Sequence, residues 1–158
     1  MTEILFARLT DIPSGASLSS GTFTPGVAFG GAAVGVTYTT QAGFYTKLGS
    51  RLFFNGRVLL TSKGSSVGAA TVTGLPFPSL STNFGALSII INASTAPGQP
   101  QASIGNSASI VTLSYFSAGN IVALDNTHFG NTTLLDFSGS YVTTCSTNLN
   151  KQLKGRKL

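Results

Sequence analysis

The sequence predicts an all-β fold, an antiparallel β-sandwich or jelly roll. Three observations carry that expectation. Apolar and polar residues alternate with a period of two over many short segments, as half-buried strands require. Glycine, proline and small hydroxyl-rich clusters separate those segments, and glycine alone accounts for 19 of the 158 residues. Windows with apolar residues at helical spacing are almost absent, because glycine and β-branched residues interrupt nearly all of them.

The first segment alternates Phe23, Val27 and Phe29, and Pro25 places it at an edge or bulge. Val34, Val36 and Tyr38 share one face of the next, with Gly35, Thr37 and Thr39 on the other. Tyr38–Tyr45 reads as strand, Gln41-Ala42-Gly43 turn, strand. Arg51–Ser62 has the strongest pattern. Leu52, Phe54, Val58 and Leu60 point one way with Gly56 among them, and Phe53, Asn55, Arg57, Leu59 and Thr61 point the other. Further strands are expected at Ala69–Thr73, Ala86–Ala93, Ser109–Phe116, Ile121–Leu124 and Thr133–Thr143. Turn material is expected at Ser62–Ser66, Ala96–Pro100, Ser117–Asn120 and Ser138-Gly139-Ser140. Asn148–Leu158 is the one stretch with the makings of a short helix.

The two ends differ from this body. Ile4, Leu5, Phe6 and Leu9 form an apolar patch, followed by a Pro13–Gly21 stretch that reads as an extended linker. Such an arm suits docking outside its own core, by adding a strand to a neighbouring sheet, or it is the first strand of the same fold. The expected division is an arm and linker over 1–20, a β-sandwich domain over 21–145 and a basic tail over 146–158. Lys151, Lys154, Arg156 and Lys157 supply much of the formal net charge of +5. A tail of this kind binds phosphate or an acidic surface, or is a solvated terminus.

Charged residues make up only 8% of the chain, against roughly 25% in an average soluble domain. With a mean hydropathy of +0.30, such a chain cannot coat itself in Lys, Arg, Asp and Glu. A hydroxyl-rich surface, burial against other chains, or both must compensate, and oligomerisation is the expectation. No apolar run reaches membrane-spanning length. The first residues, with Glu3 and Arg8, lack the architecture of a secretion signal. Cys145 is the only cysteine, so no intrachain disulfide can form, which fits folding in a reducing cytoplasm.

Catalysis needs a base, a nucleophile or a metal. The carboxylates are Glu3, Asp11, Asp125 and Asp136, and the one imidazole is His128. Asp125-Asn126-Thr127-His128 reads as a backbone-bonded turn rather than an acid–base pair. Asp125 and Asp136 have the residue types for paired-carboxylate sugar cleavage, but the chain has no tryptophan to line a sugar groove. One Cys and one His cannot fill a structural zinc site, and no Asp cluster suggests calcium. No cofactor is expected. Lys47, Arg51, Arg57 and Lys63, beside Tyr45 and Phe53–Phe54, are the one aromatic–basic set for nucleic acid. With so little net charge in the body, that partner is not expected either, nor is a membrane.

Several pieces in order carry a resemblance. Gly21-Thr22-Phe23-Thr24-Pro25, then Val34–Gly49, Phe53-Phe54-Asn55-Gly56-Arg57, Leu60-Thr61-Ser62-Lys63-Gly64, Gly74-Leu75-Pro76-Phe77 and the closing Phe137-Ser138-Gly139-Ser140-Tyr141 resemble a module of tailed-bacteriophage virion surface proteins. Tail-fibre tips, receptor-binding proteins and small capsid decoration proteins use it. Its members tend to have Trp where Phe23 stands. The resemblance implies a homotrimeric β-sandwich or jelly roll without enzyme activity, and it carries no catalytic residue onto this chain. Tyr45, Phe54, Arg57, Leu75 and Phe77 are candidate trimer or core contacts; Pro76 holds Leu75 and Phe77 apart.

Within a virion, the short segment before the module favours a capsid decoration or cement protein over a fibre that needs a shaft. Ile4, Leu5, Phe6 and Leu9, with Lys151, Lys154, Arg156 and Lys157, would then grip the major capsid protein. The alternative is a tail-fibre or receptor-binding tip that recognises host surface glycan. Either protein would be made in the host cytoplasm and sit on the virion surface.

Overall fold

The computed structural model describes residues 18–81 and 85–144. Among these residues, ten antiparallel strands run β1 (Leu18–Phe23), β2 (Gly26–Phe29), β3 (Val36–Leu48), β4 (Arg51–Lys63), β5 (Ala70–Thr73), β6 (Gly85–Ser94), β7 (Gln99–Ile104), β8 (Val111–Ser117), β9 (Asn120–Ala123) and β10 (Phe129–Val142). A 3-10 turn at Asn126–His128 precedes β10. Among the described residues, no helix is long and apolar enough to cross a membrane.

The strands form one sheet in the order β1-β3-β4-β10-β6-β7-β8-β5-β2, with β9 on the side of β8. β6 is the hinge of this order. Its later residues, from Ser88, pair with β10, and its first, Gly85–Leu87, pair with β7. The sheet therefore curls on itself through β6 as a half-barrel, instead of parting into the two separate sheets of a sandwich. The far strand β2 returns to β3. Val27 donates its backbone N–H to Tyr38 Oη at 2.9 Å, and Gln41 Nε2 donates to the Pro25 carbonyl at 2.9 Å. Pro25 ends β1, so the chain crosses from one end of the sheet order to the other between Phe23 and Gly26.

The core lies inside the curl. Leu52, Phe54, Val58 and Leu60 of β4 meet Leu135, Phe137 and Tyr141 of β10, and Val27, Phe29, Val72, Val111 and Leu113 close it from the other half. The alternation read in Arg51–Ser62 is realised residue by residue: the inward set is buried, while Arg51, Phe53, Asn55 and Arg57 are exposed.

Two expected turns are not turns. Gln41-Ala42-Gly43 lies within β3, and Ser138-Gly139-Ser140 within β10. In both, the glycine makes room for a neighbour. Gly43 pairs with Phe23, whose ring would lie 2.5 Å from an added Cβ. Gly139 lies under Leu87, 2.4 Å from an added Cβ. The same device recurs at Gly21 beneath Tyr45 and at Gly56 beneath Phe137, each pair directly opposite across two strands. Rings laid over strand glycines thus link β1, β3, β4 and β10 on the inner face. Gly49 differs: at φ +59° with no atom within 4 Å of an added Cβ, it serves the tight β3–β4 turn.

β7 was not expected, because Pro100 and sparse apolar residues hide it. Pro100 stands opposite Tyr115 of β8, but the β6 pairing covers only Ala102–Ile104, so on the β6 side its missing N–H faces no paired strand. β1 also takes in Leu18–Ser20, which the sequence reading gave to the linker.

Candidate interaction face

The candidate contacts divide between the two faces. Phe54 and Leu75 are core residues, 5% and 6% exposed. Tyr45 and Phe77 are half-buried and meet edge-to-face at 5.5 Å between centroids. Tyr141 Oη donates to the Phe77 carbonyl at 2.6 Å, and burial raises its pKa to about 12. These contacts pin the Gly74–Phe77 segment across the end of the sheet. Arg57 alone of the set faces outward. The arm residues Ile4, Leu5, Phe6 and Leu9, the tail residues Lys151, Lys154, Arg156 and Lys157, Cys145 and the helix expected at Asn148–Leu158 all lie outside the described residues.

The expected aromatic–basic set does not form one surface. Lys47 turns inward, 4% exposed, with Nζ donating to the Gly49 carbonyl at 2.7 Å and lying 5.7 Å above the Phe77 ring. Lys63 Nζ donates to the Asn126 carbonyl at 2.9 Å. Arg51 and Arg57 remain on the outward face of β4, while Phe53 and Phe54 point to opposite sides. Sequence proximity brought these residues together only on paper, because strand alternation sends neighbours to different faces.

The outward face of β1, β3, β4, β10 and β6 is built by the other half of the alternation. Arg57 Nε and Nη2 donate to the two carboxylate oxygens of Asp136, both at 2.6 Å, directly across β4 and β10. Those bonds hold the Asp136 carboxyl below its ordinary pKa and raise that of Arg57. Arg51 Nη2 donates to Ser140 Oγ at 2.8 Å. Around these polar groups stand exposed apolar side chains: Leu18 (68%), Phe44 (57%), Leu48 (47%), Phe53 (49%) and Ile90 (66%). A groove of about 470 Å³ runs among Phe44, Asn55, Arg57, Ile90, Asp136 and Ser138, with Gly56 and Phe137 also lining it. A smaller recess of about 200 Å³ separates Phe44 from Phe53. Of this face, the sequence reading had named Arg57 as a contact. Leu18, Phe44, Leu48, Phe53, Ile90 and the partner Asp136 were missed as contacts, although Phe53 and Leu59 on the polar side of β4 were a signal.

Each carboxylate among the described residues has a close partner, and His128 Nδ1 lies 2.9 Å from Asp125 Oδ1. Asp136 is held by Arg57. Asp125 N-caps the 3-10 turn through Oδ1, which accepts from the Thr127 hydroxyl and, at 2.9 Å, from the Thr127 N–H; these bonds lower its pKa. His128 Nδ1 accepts from the Asp125 backbone N–H at 3.1 Å, and its ring packs on Tyr115 at 5.3 Å. Asp125 and Asp136 thus serve different partners on different elements. Among the described residues, no group of three His, Cys, Asp or Glu side chains gathers that could hold a metal ion.

No family model and no curated protein matches the chain. A solved structure does. The crystal structure of the Dettilon tailspike protein (gp208) superposes with a TM-score of 0.67 at 20% identity, over 79% of this chain and 24% of that one. The curled antiparallel sheet is a fold found in a tailspike. The chain spans about a quarter of the tailspike's length.

Proposed function

We infer that this chain is a structural module of a tailed-bacteriophage virion, carried at a tail-fibre or receptor-binding tip, where it recognises host surface glycan without cleaving it. The observation that carries the reading is the fold shared with a tailspike. The ordered resemblance between Gly21 and Tyr141 points to the same group of proteins. The grips of the capsid decoration reading, Ile4–Leu9 and Lys151–Lys157, lie outside the described residues, and that reading draws no support from the fold. The non-enzymatic part rests on Asp125, Asp136 and His128, each already engaged by a structural neighbour. Gold-labelled antibody against the chain, imaged on intact particles, tests the location. Label confined to the tail is the expected result, and label spread over the shell would return the decoration reading. Glycan-array binding by the purified chain tests the ligand class, and release of sugar from any bound polysaccharide would overturn the non-enzymatic part.

A further inference from the structure

We propose that the outward face of β1, β3, β4, β10 and β6 is the surface through which this chain packs against a second copy of itself. The face is apolar where a free surface is not. Leu18, Phe44, Leu48, Phe53 and Ile90, 47–68% exposed, all stand on it, and isolated soluble proteins rarely leave so many large apolar side chains together. Its charges do not oppose a second copy: Arg57 and Asp136 neutralise one another, and Arg51 is engaged by Ser140 Oγ. It also carries both halves of a fit. Phe44 and Phe53 project beside recesses of about 470 and 200 Å³, so the side chains of one copy can fill the recesses of another.

The area is sufficient. The five strands, about 4.8 Å apart and about ten residues long at roughly 3.3 Å per residue, present about 800 Å². Two copies would bury about 1,600 Å² between them, the size of a standard stable interface. The rival apolar group, Phe116, Ile121 and Val122, sits where β8 meets the four-residue β9, which is too narrow for such an area. A chain with 8% charged residues needs a partner of its own composition to cover this face. The inference is independent of where on a particle the chain resides.

Sedimentation of the purified full chain tests it. The wild type is expected as an oligomer, and Phe44→Ser/Phe53→Ser is expected to weaken self-association at least about tenfold, as loss of buried aromatic anchors does. Circular dichroism should be unchanged in that variant. If it fails to fold, Ile90→Lys decides instead, since that side chain is 66% exposed and lies outside the core. Ile121→Ser should leave the oligomer intact. A wild type that stays monomeric near about 100 µM, where a micromolar interface would be saturated, overturns the proposal and leaves the face to another kind of partner. So does an oligomer that survives the outward-face substitutions or dissociates with Ile121→Ser.

Discussion

The two faces of β4 carry similar residue types to different ends. Inward, Leu52, Phe54, Val58 and Leu60 are at most 5% exposed, and Gly56 leaves room for the Phe137 ring. Outward, Phe53 and Leu59 share a face with Arg51, Asn55 and Arg57, and Phe53 is 49% exposed. Apolar character alone therefore does not say which face is core. What separates the faces is fit: the inner one has glycines beneath rings at atomic contact, while the outer one has projecting rings beside open recesses. The inner face is finished within one chain. The outer face leaves Leu18, Phe44, Phe53 and Ile90 exposed.

The sharpest break of that contrast is an added methyl on the inner side. Gly56→Ala would place a Cβ 2.4 Å from the Phe137 ring, which is 3% exposed and has no room to retreat. Overpacking of this kind is expected to cost about 1–3 kcal/mol in urea unfolding. Adding Phe137→Leu should recover part of the loss; if the double variant is no better than Gly56→Ala alone, the ring is not the obstacle.

Tyr141→Phe comes next. It leaves the Phe77 carbonyl without its 2.6 Å bond, at an expected cost of about 1–1.5 kcal/mol. It also has a pH signature. The phenol's pKa is raised from 10.0 to about 12, so the unfolded chain ionises first. Its contribution is full below pH 10 and is lost as pH rises towards 12. Denaturation of the wild type across that window should show the decline, and Tyr141→Phe should flatten it.

On the outer face, Phe44→Ser should change the stability of the isolated monomer by no more than about 0.5 kcal/mol, because little of the ring is packed within the chain. Thermal melts at high dilution check this. A loss as large as that of Gly56→Ala would mean that the outer face is also part of the core. Asp136→Asn is expected to have the smallest effect, since its pair with Arg57 is exposed to solvent and salt. The carboxyl's pKa lies below its ordinary 3.8, so the pair contributes above that value and the contribution is lost as pH falls through the lowered pKa. Acid unfolding of Asp136→Asn should lack this small component.

Much of this was legible in the chain. Period-two alternation from Arg51 to Ser62 sorted the two faces of β4 correctly, because side-chain direction in a strand is a local property. The turns near Ser62–Ser66, Ala96–Pro100 and Ser117–Asn120 were found where the strands do end, with β7 beginning at Gln99 inside the second. The misread positions were Gly43 and Gly139. A glycine in a turn and a glycine beneath a side chain look alike in sequence, and the side chains that distinguish them here, Phe23 and Leu87, belong to other strands.

Sequence by itself determined that this protein is built of antiparallel strands, and which side chains share a face on its best-patterned strand. Tertiary structure decided the rest. It set the strand order, with β1 and β2 sent to opposite ends of one curled sheet. It turned Lys47 inward onto the Gly49 carbonyl, and it paired Arg57 with Asp136 from 79 residues away. The physical reason is the same in each case. Alternation and composition act between neighbours along the chain, whereas pairing, ring-over-glycine contact and the choice of inner face are settled between residues that meet only when the sheet closes.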